Sequence, residues 1–371
     1  MVGEAAAAQR RDLMLLAVAE ARKGLGRTSP NPAVGAVVVR DGRVVGRGFH
    51  RQAGCPHAEV VALRDAGRLA RGSDLYSTLE PCDHQGRTPP CTEAILSAGL
   101  RRVVVGSDDP NPLVSGRGVR RLRAAGVGVV RGVAKAECDA LNVEWFHFIT
   151  TGRPYVTLKV AVTADGKLAS GSGDSRWITG EAARRRVHEL RALADAVLVG
   201  AGTIRQDDPQ LTARIRGARS PLRVVLDGRL GTSPASRVYE PGAPGSVVFA
   251  SNEAARHAPA RFGSRGVDVL GLPARRGRLA LDRVLEALGR RGLVRLLVEG
   301  GADVHGQFLE HDLWNRLLLF VAPKVLGDRG IPWLRLPRGG RMAEAMTLGS
   351  FEVEKVGDDA LLRIDRSGGM R

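Results

Sequence analysis

One imidazole and two thiols stand in a pattern that suits a catalytic zinc ion. They are His57 in His57-Ala58-Glu59, Cys82 after Pro81, and Cys91 after Pro89-Pro90. One histidine and two cysteines fill three tetrahedral positions and leave the fourth for water; a structural zinc closes that position with another Cys or His. Cys55 could supply a fourth donor, but it precedes His57 by only two residues, a tight spacing for two ligands of one ion. Glu59 follows His57 by two positions and can reach such a water without ligating. Zinc brings the pKa of bound water towards neutrality, and a positioned carboxylate can take its proton and pass it to a departing amine. Taken singly, a histidine more often satisfies a hydrogen bond than binds metal, and a cysteine is usually a small buried hydrophobe. The His-x-Glu together with two Pro-Cys pairs is what points to zinc.

The elements that must hold these groups are legible. His57 opens a predicted helix, His57–Ala70, and Cys91 opens another, Cys91–Ala98; the positive end of a helix favours a thiolate. The predicted strand Asp74–Leu79 leads into Cys82. Upstream, a helix over 5–23 precedes strands Ala33–Val39 and Val44–Phe49, joined by Asp41-Gly42, a strong hairpin signal. Downstream come strand Arg102–Gly106, helix Gly118–Ala125, strand Val127–Arg131 and one helix, Lys135–Phe148. This alternation predicts a layered α/β domain over residues 1–150. Thr150–Pro154 reads as a joint. A second α/β domain over 151–371 contains strand Tyr155–Val162, helix Glu181–Leu193, strand Ala196–Gly200 and strands near Arg223–Leu226 and Val247–Ala250. It ends with helix Leu279–Leu288, strand Val294–Glu299, helix Ala302–Glu310 and strand Leu317–Val321.

A chain of 371 residues with 43% apolar content is globular and long enough for two cores. Lys+Arg number 56 against 39 Asp+Glu, a net charge of +17 that favours an anionic partner without choosing between nucleic acid and a phosphorylated small molecule. The arginines are scattered, and 4% aromatic content argues against a surface built to stack bases. Four irregularly spaced cysteines do not make a disulfide scaffold, so reduced thiols and a cytoplasmic location are expected. Leu13–Ala19 is too short and too closely bracketed by charge for a signal peptide, and no window reaches the length of a membrane span. Cys138 is read as core.

The pattern H-x-E…P-C-x-x-C is the signature of zinc-dependent base deaminases. Here eight residues, not two, separate Cys82 from Cys91. The longer runs Ser29–Val37, Gly54–Val60, Thr78–Cys91, Asp109–Val114 and Gly116-Arg117-Gly118 resemble the bifunctional pyrimidine deaminase/reductase family of riboflavin biosynthesis, whose own spacing this is. The likeness continues in Pro154–Lys159, Asp165–Lys167, Asp174–Thr179, Asp207–Thr212 and Val298–Gly301, and is weakest across about 229–290 and after about 330. It implies a cytidine-deaminase-like three-layer α/β/α domain followed by a dihydrofolate-reductase-like α/β domain. It further implies zinc, NADPH and a phosphorylated diaminopyrimidinone substrate that is deaminated and then reduced from ribosyl to ribityl. Association into a homo-oligomer is expected on the same ground.

Carried over residue by residue, the likeness puts Asn31 on the pyrimidine and His84 and Arg87 in the loop bordering it. In the reductase half it gives Ser175, Arg191, Leu211, Arg214 and Glu299 to the substrate. It gives Ala161, Trp177, Thr203, Asp207 and the run Gly301, Ala302, Asp303, Val304, His305, Gly306 and Gln307 to NADPH. Arg191 and Arg214 suit phosphate clamps, because a guanidinium offers paired donors. Lys159 and Asp165, at a strand end and turn, are candidates for moving a proton to the sugar. The family usually carries Ser where Asp83 stands, which sets an extra carboxylate beside the metal ligands. Two other readings compete. A nucleic-acid base deaminase leaves the second domain unexplained, and a zinc-stabilised binding protein has no use for Glu59.

Overall fold

The structure, a computed structural model, describes residues 2–86, 88–242, 244–263, 266–336 and 341–366. Arg87 lies outside the described residues. The chain divides into two compact units, Met1–Thr151 and Gly152–Arg371.

The first unit is built on a five-stranded sheet. Its strands are β1 (Gly35–Arg40), β2 (Arg43–Phe49), β3 (Asp74–Leu79), β4 (Arg102–Ser107) and β5 (Gly128–Arg131), in the order β2-β1-β3-β4-β5. The β1–β2 and β1–β3 pairs are antiparallel, and β3–β4 and β4–β5 are parallel. Asp41 and Gly42 take the expected hairpin turn with φ of 49° and 76°. The helices are α1 (Val2–Arg22), α2 (Ala58–Ala66), α3 (Cys91–Ala98), α4 (Arg117–Ala124), α5 (Lys135–Leu141) and α6 (Val143–Thr151).

Because strand side chains alternate, the sheet has two apolar faces. Ala36, Val38, Leu75 and Val103 pack with Ala58, Ala62 and Ala66 of α2, Ile95 of α3 and Leu122 of α4. Val37, Val39, Tyr76 and Val104 pack with Met14, Ala17, Val18 and Ala21 of α1 and Cys138 and Leu141 of α5. This is the three-layer α/β/α arrangement, and it places α2 and α3, with His57 and Cys91 at their starts, on one face. The close seat of α2 requires Gly46 and Gly48 on β2, where an added Cβ would come within 2.4 Å of the carbonyl oxygens of Ala62 and Ala58.

The single helix expected over Lys135–Phe148 is broken at Asn142. Its buried side chain accepts from the Ala33 N–H at 2.8 Å and donates to the Ala33 carbonyl at 2.9 Å, with φ at −125°. Satisfying those two backbone groups takes precedence over helix continuity, because a buried unpaired amide is costly.

The second unit carries a nine-stranded sheet. In chain order its strands are β6 (Tyr155–Thr163), β7 (Ala196–Gly200), β8 (Leu222–Leu226), β9 (Ser246–Ser251), β10 (Val267–Leu272), β11 (Arg295–Gly300), β12 (Arg316–Ala322), β13 (Glu352–Val356) and β14 (Asp359–Asp365). Their order across the sheet is β10-β9-β8-β7-β11-β6-β12-β14-β13, parallel from β10 to β12 and antiparallel beyond. Helices α7 (Glu181–Leu193), α8 (Ala201–Asp207), α9 (Leu281–Arg290) and α10 (Ala302–Glu310) belong to its crossovers. Both faces are covered. Leu198 on β7 joins the cluster with Leu285, Leu288 and Phe308, while Val197 and Val199 join Ile204, Leu211 and Tyr239. Strands β10, β13 and β14 and helix α8 were not anticipated. No helix among the described residues is long and apolar enough to cross a membrane.

Candidate functional site

In the first unit His57, Cys82 and Cys91 converge, with one donor atom from each lying within 4.8 Å of the others. Cys55 and Asp83 are outside this group. Three local devices bring the ligands together. His57 is the N-cap of α2, Cys82 follows the end of β3, and Cys91 is the first residue of α3 behind Pro90. The His57 Nδ1 faces both sulfurs, 3.1 Å from Cys91 and 3.5 Å from Cys82, while Nε2 lies 3.2 Å from the Thr88 hydroxyl. Nδ1 is therefore the nitrogen that shares a donor cluster with the two sulfurs, and Thr88 can hold the other. The Cys91 N–H donates to the Cys82 sulfur at 3.4 Å. A hydrogen bond from the Cys91 thiol, helped by His57, lowers the Cys82 pKa, and that donation together with burial raises Cys91. Hydrogen bonding to Cys82 likewise raises the His57 pKa.

Glu59 is buried beside this triad. Its Oε2 has no hydrogen-bond partner, Ser77 approaches Oε1 only at 3.5 Å, and burial raises its pKa. An unpartnered carboxylate oxygen in a buried site is expensive unless a ligand or proton completes it. The donor set and this orphaned oxygen fit a zinc ion with one open position.

Around the triad, Asn31 Nδ2 lies 3.1 Å from His50 Nε2, His50 Nδ1 lies 3.2 Å from the Pro56 carbonyl, and the His50 ring stands edge-on to His57 with centroids 5.3 Å apart. Since a carbonyl only accepts, Nδ1 carries the His50 proton and Nε2 accepts from the Asn31 amide. That orientation of Asn31 was not foreseen. The His84 Nδ1 is buried without a partner in the adjoining loop. Asp83 turns away from the sulfurs to Thr92 and Arg121, so the extra carboxylate is not a fourth donor. Cys138 packs against Gly106, and burial pushes its thiol up to about 12, as befits a core residue.

In the second unit Glu299 sits near the carboxyl end of β11, the end at which open parallel sheets bind ligands. Glu299 on β11 is 6% exposed and receives both Nε and Nη2 of Arg191 at 2.6 and 2.9 Å, with Lys159 Nζ at 3.2 Å. Burial alone would raise the Glu299 pKa, but the Arg191 and Lys159 charges overwhelm it and hold the carboxyl below its ordinary range. Arg191 also donates to the Thr212 carbonyl at 3.2 Å. Ser175 donates to Asp207 at 3.2 Å, and Trp177 is 63% exposed with Arg184 stacked 4.7 Å from its ring centroid.

Several expected positions take a different form. Lys159 is mid-strand rather than at a strand end. Asp165 accepts from the Thr163 hydroxyl at 2.6 Å and from the Leu326 and Gly327 N–H groups, so it anchors a turn and stands outside the Glu299 cluster. The Leu211 side chain is buried in the core, and its backbone, at φ 58°, is what it has left to offer a ligand. Arg214, at φ 51°, is exposed and donates to Gln210. Within the 301–307 run, Ala302, Val304, His305 and Gly306 are buried, while Gly301, Asp303 and Gln307 retain exposure. Gly301 has φ 71° and lies against Thr203, and the first amides of α10 have no intrahelical acceptor. Glycine, free amides and the helix dipole form a cradle that fits a cofactor phosphate. Ala161 lies on β6.

Comparison with known proteins agrees with both halves. Residues 7–107 match the cytidine and deoxycytidylate deaminase zinc-binding region, and residues 154–362 match the RibD C-terminal domain. The chain is 42% identical to the riboflavin biosynthesis protein RibD of Actinobacillus pleuropneumoniae, over 95% of this chain and 94% of that one. It is 39% identical to RibD of Escherichia coli K12, over 95% and 98%. The solved structure of Acinetobacter baumannii RibD superposes with a TM-score of 0.88 at 37% identity, over 97% and 99%. A Thermotoga maritima protein described as a diaminohydroxyphosphoribosylaminopyrimidine deaminase/5-amino-6-(5-phosphoribosylamino)uracil reductase superposes at 0.84 with 38% identity, over 97% and 99%. The chain belongs to the RibD family, the bifunctional deaminase/reductase enzymes of riboflavin biosynthesis.

Proposed function

We propose that residues 1–150 carry the deaminase and residues 151–371 the reductase, with a phosphorylated diaminopyrimidinone as first substrate. In the deaminase, His57 Nδ1, Cys82 and Cys91 hold zinc, which supplies a Lewis acid that makes hydroxide accessible near neutral pH. Glu59 takes a proton at its free Oε2 and delivers it to the amino group that departs as ammonia. Its burial supports this role, since a carboxyl with a raised pKa can both accept and return a proton. Asn31, oriented by His50, reads the pyrimidine edge, and His84 borders it.

In the reductase, NADPH supplies a hydride to the ribosyl carbon. The Gly301–Gln307 turn contributes its first amides to a cofactor phosphate, and Ala161, Trp177, Thr203 and Asp207 line the remainder. Arg191, Arg214, Ser175, Leu211 and Glu299 bind the substrate, the arginines at its phosphate and Leu211 through its backbone. Lys159, paired with Glu299, gives the proton that accompanies ring opening. Assembly into a homo-oligomer in the cytoplasm completes this reading.

The observation that carries the proposal is the buried, unpartnered Glu59 oxygen beside three converged zinc donors. Elemental analysis of the purified protein tests it. One zinc per chain is expected, lost in Cys82→Ser; wild-type protein that retains no zinc after loading and desalting would overturn it.

A further inference from the structure

The two cysteine-bearing segments are also fastened to each other by hydrogen bonds that do not involve the sulfurs. The Thr92 N–H donates to the Cys82 carbonyl at 3.3 Å, and the Thr92 hydroxyl donates to Asp83 Oδ1 at 2.5 Å. The residue after one sulfur ligand thus grips the residue after the other. Arg121 of α4 closes the arrangement, donating to the same Asp83 oxygen at 2.6 Å and approaching the Thr92 hydroxyl at 3.4 Å. Its second Nη lies 3.8 Å from Glu93, which follows Thr92.

Helix α4 is itself docked on the segment that leads to Cys82. The buried Glu80 carboxylate accepts from the Gly116 and Val119 N–H groups at 3.0 and 3.2 Å. Gly118 lies so close to Pro81 that an added Cβ would come within 2.0 Å of its carbonyl oxygen. Glu80, Pro81 and Asp83 therefore all engage α4, and Cys82 alone among these four residues is directed at the metal donors.

We propose that Asp83, Thr92 and Arg121 form a clamp that sets the separation of the Cys82 and Cys91 sulfurs, with Asp83 as a positioning residue that slows zinc release. The proposal rests on the assignment of zinc to His57, Cys82 and Cys91. The clamp is suited to that task for two reasons. Cys82 and Cys91 must lie close enough to share one cation, and contacts that do not involve the sulfurs hold their segments at that spacing. The Asp83 charge, which would otherwise oppose a thiolate at Cys82, is compensated by a guanidinium held in place by α4. Thr92 has no solvent-exposed surface, so its hydroxyl has no water to turn to if Asp83 is removed.

The test measures zinc transfer from the full-length zinc-loaded protein to a chromophoric chelator at fixed pH, for wild type, Asp83→Ala, Asp83→Asn and Arg121→Met. Loss of a group that orients metal ligands lowers metal affinity roughly 10–100-fold. Asp83→Ala and Arg121→Met should therefore release zinc about tenfold faster or more. Asp83→Asn, which keeps an acceptor for Thr92 and Arg121, should lie close to wild type. In cobalt-substituted protein the sulfur-to-cobalt charge-transfer bands should shift in Asp83→Ala and return in Asp83→Asn. Wild-type release rates and unshifted bands in both Asp83→Ala and Arg121→Met would overturn the clamp. Wild-type protein that holds no zinc would instead overturn the metal assignment beneath it. If Asp83→Ala fails to fold, Thr92→Val removes the same rung without touching a charge, and the same release rates decide.

Discussion

Replacing Glu299 by Gln removes the only anion from a buried cluster of three charges and leaves two cations facing each other. Arg191 and Lys159 are each 13% exposed and Glu299 is 6% exposed, so water can screen little of the loss. At contact distances near 3 Å and an effective dielectric of about 20, each attraction is on the order of 5 kcal/mol before desolvation is subtracted. Breaking a buried pair by removing one partner typically costs about 3–5 kcal/mol net. For a unit of this size roughly 2–4 °C of melting temperature is lost per kcal/mol, so Glu299→Gln should lower the melting of the second unit by about 10 °C.

Glu286→Gln is the control. Its partners Arg153 and Arg283, 2.8 and 2.9 Å away, are partly exposed, so solvent screens most of what is lost. Scanning calorimetry of the three proteins decides between them, and added phosphate should raise the melting of Glu299→Gln more than that of wild type, because the vacated cluster becomes an anion site. The two cations lower the Glu299 pKa, so its contribution is present above the unfolded value of about 4.3 and is lost as pH falls through the native value. The deficit should therefore persist across pH 5–8. A Glu299→Gln melting within about 2 °C of Glu286→Gln would mean that the buried cluster adds no such stability.

The two activities should separate cleanly by mutation. Glu59→Gln should abolish ammonia release while keeping its zinc and reducing supplied deaminated intermediate at the wild-type rate. Lys159→Ala should do the reverse, and reductase turnover unchanged in that variant would remove Lys159 from the proton path. His305 is buried and has its pKa pushed down to about 4, first by burial and then by the Lys159 charge, against a smaller upward pull from the Val298 and Trp333 backbone. The unfolded chain binds the proton below about 6.5, so stability falls as pH drops from there towards 4. Wild type should lose about 2 kcal/mol between pH 7 and 5 that His305→Phe does not, measured by denaturant unfolding, and parallel pH profiles would count against it.

The residues gathered at the candidate metal site were legible because chemistry restricts residue type and spacing. His57, Glu59, Cys82 and Cys91 could be named without a structure, and strand Asp74–Leu79 and helix Cys91–Ala98 have the expected bounds. What escaped depends on partners distant in sequence. Asn142 ends a helix for the sake of Ala33, 109 residues away, and Arg121 meets Asp83 across 38. Nothing local marks either. Strand β13 escaped for another reason: Glu352–Val356 is an edge strand exposed along most of its length, so it lacks the apolar alternation that betrays a buried one. In the 301–307 run the likeness named seven residues, but helix geometry turns four of them into the core and leaves the first turn to face a ligand.

One chain is expected to deaminate its substrate and then reduce the deaminated product. The direct measurement is simultaneous recording of ammonia release and NADPH oxidation by the purified zinc-loaded protein, given the diaminopyrimidinone ribosyl phosphate. Ammonia should appear first and NADPH consumption should follow it mole for mole, with both signals absent in Glu59→Gln until deaminated intermediate is added. NADPH oxidation that proceeds without ammonia, or zinc-loaded protein that releases none, would contradict the account.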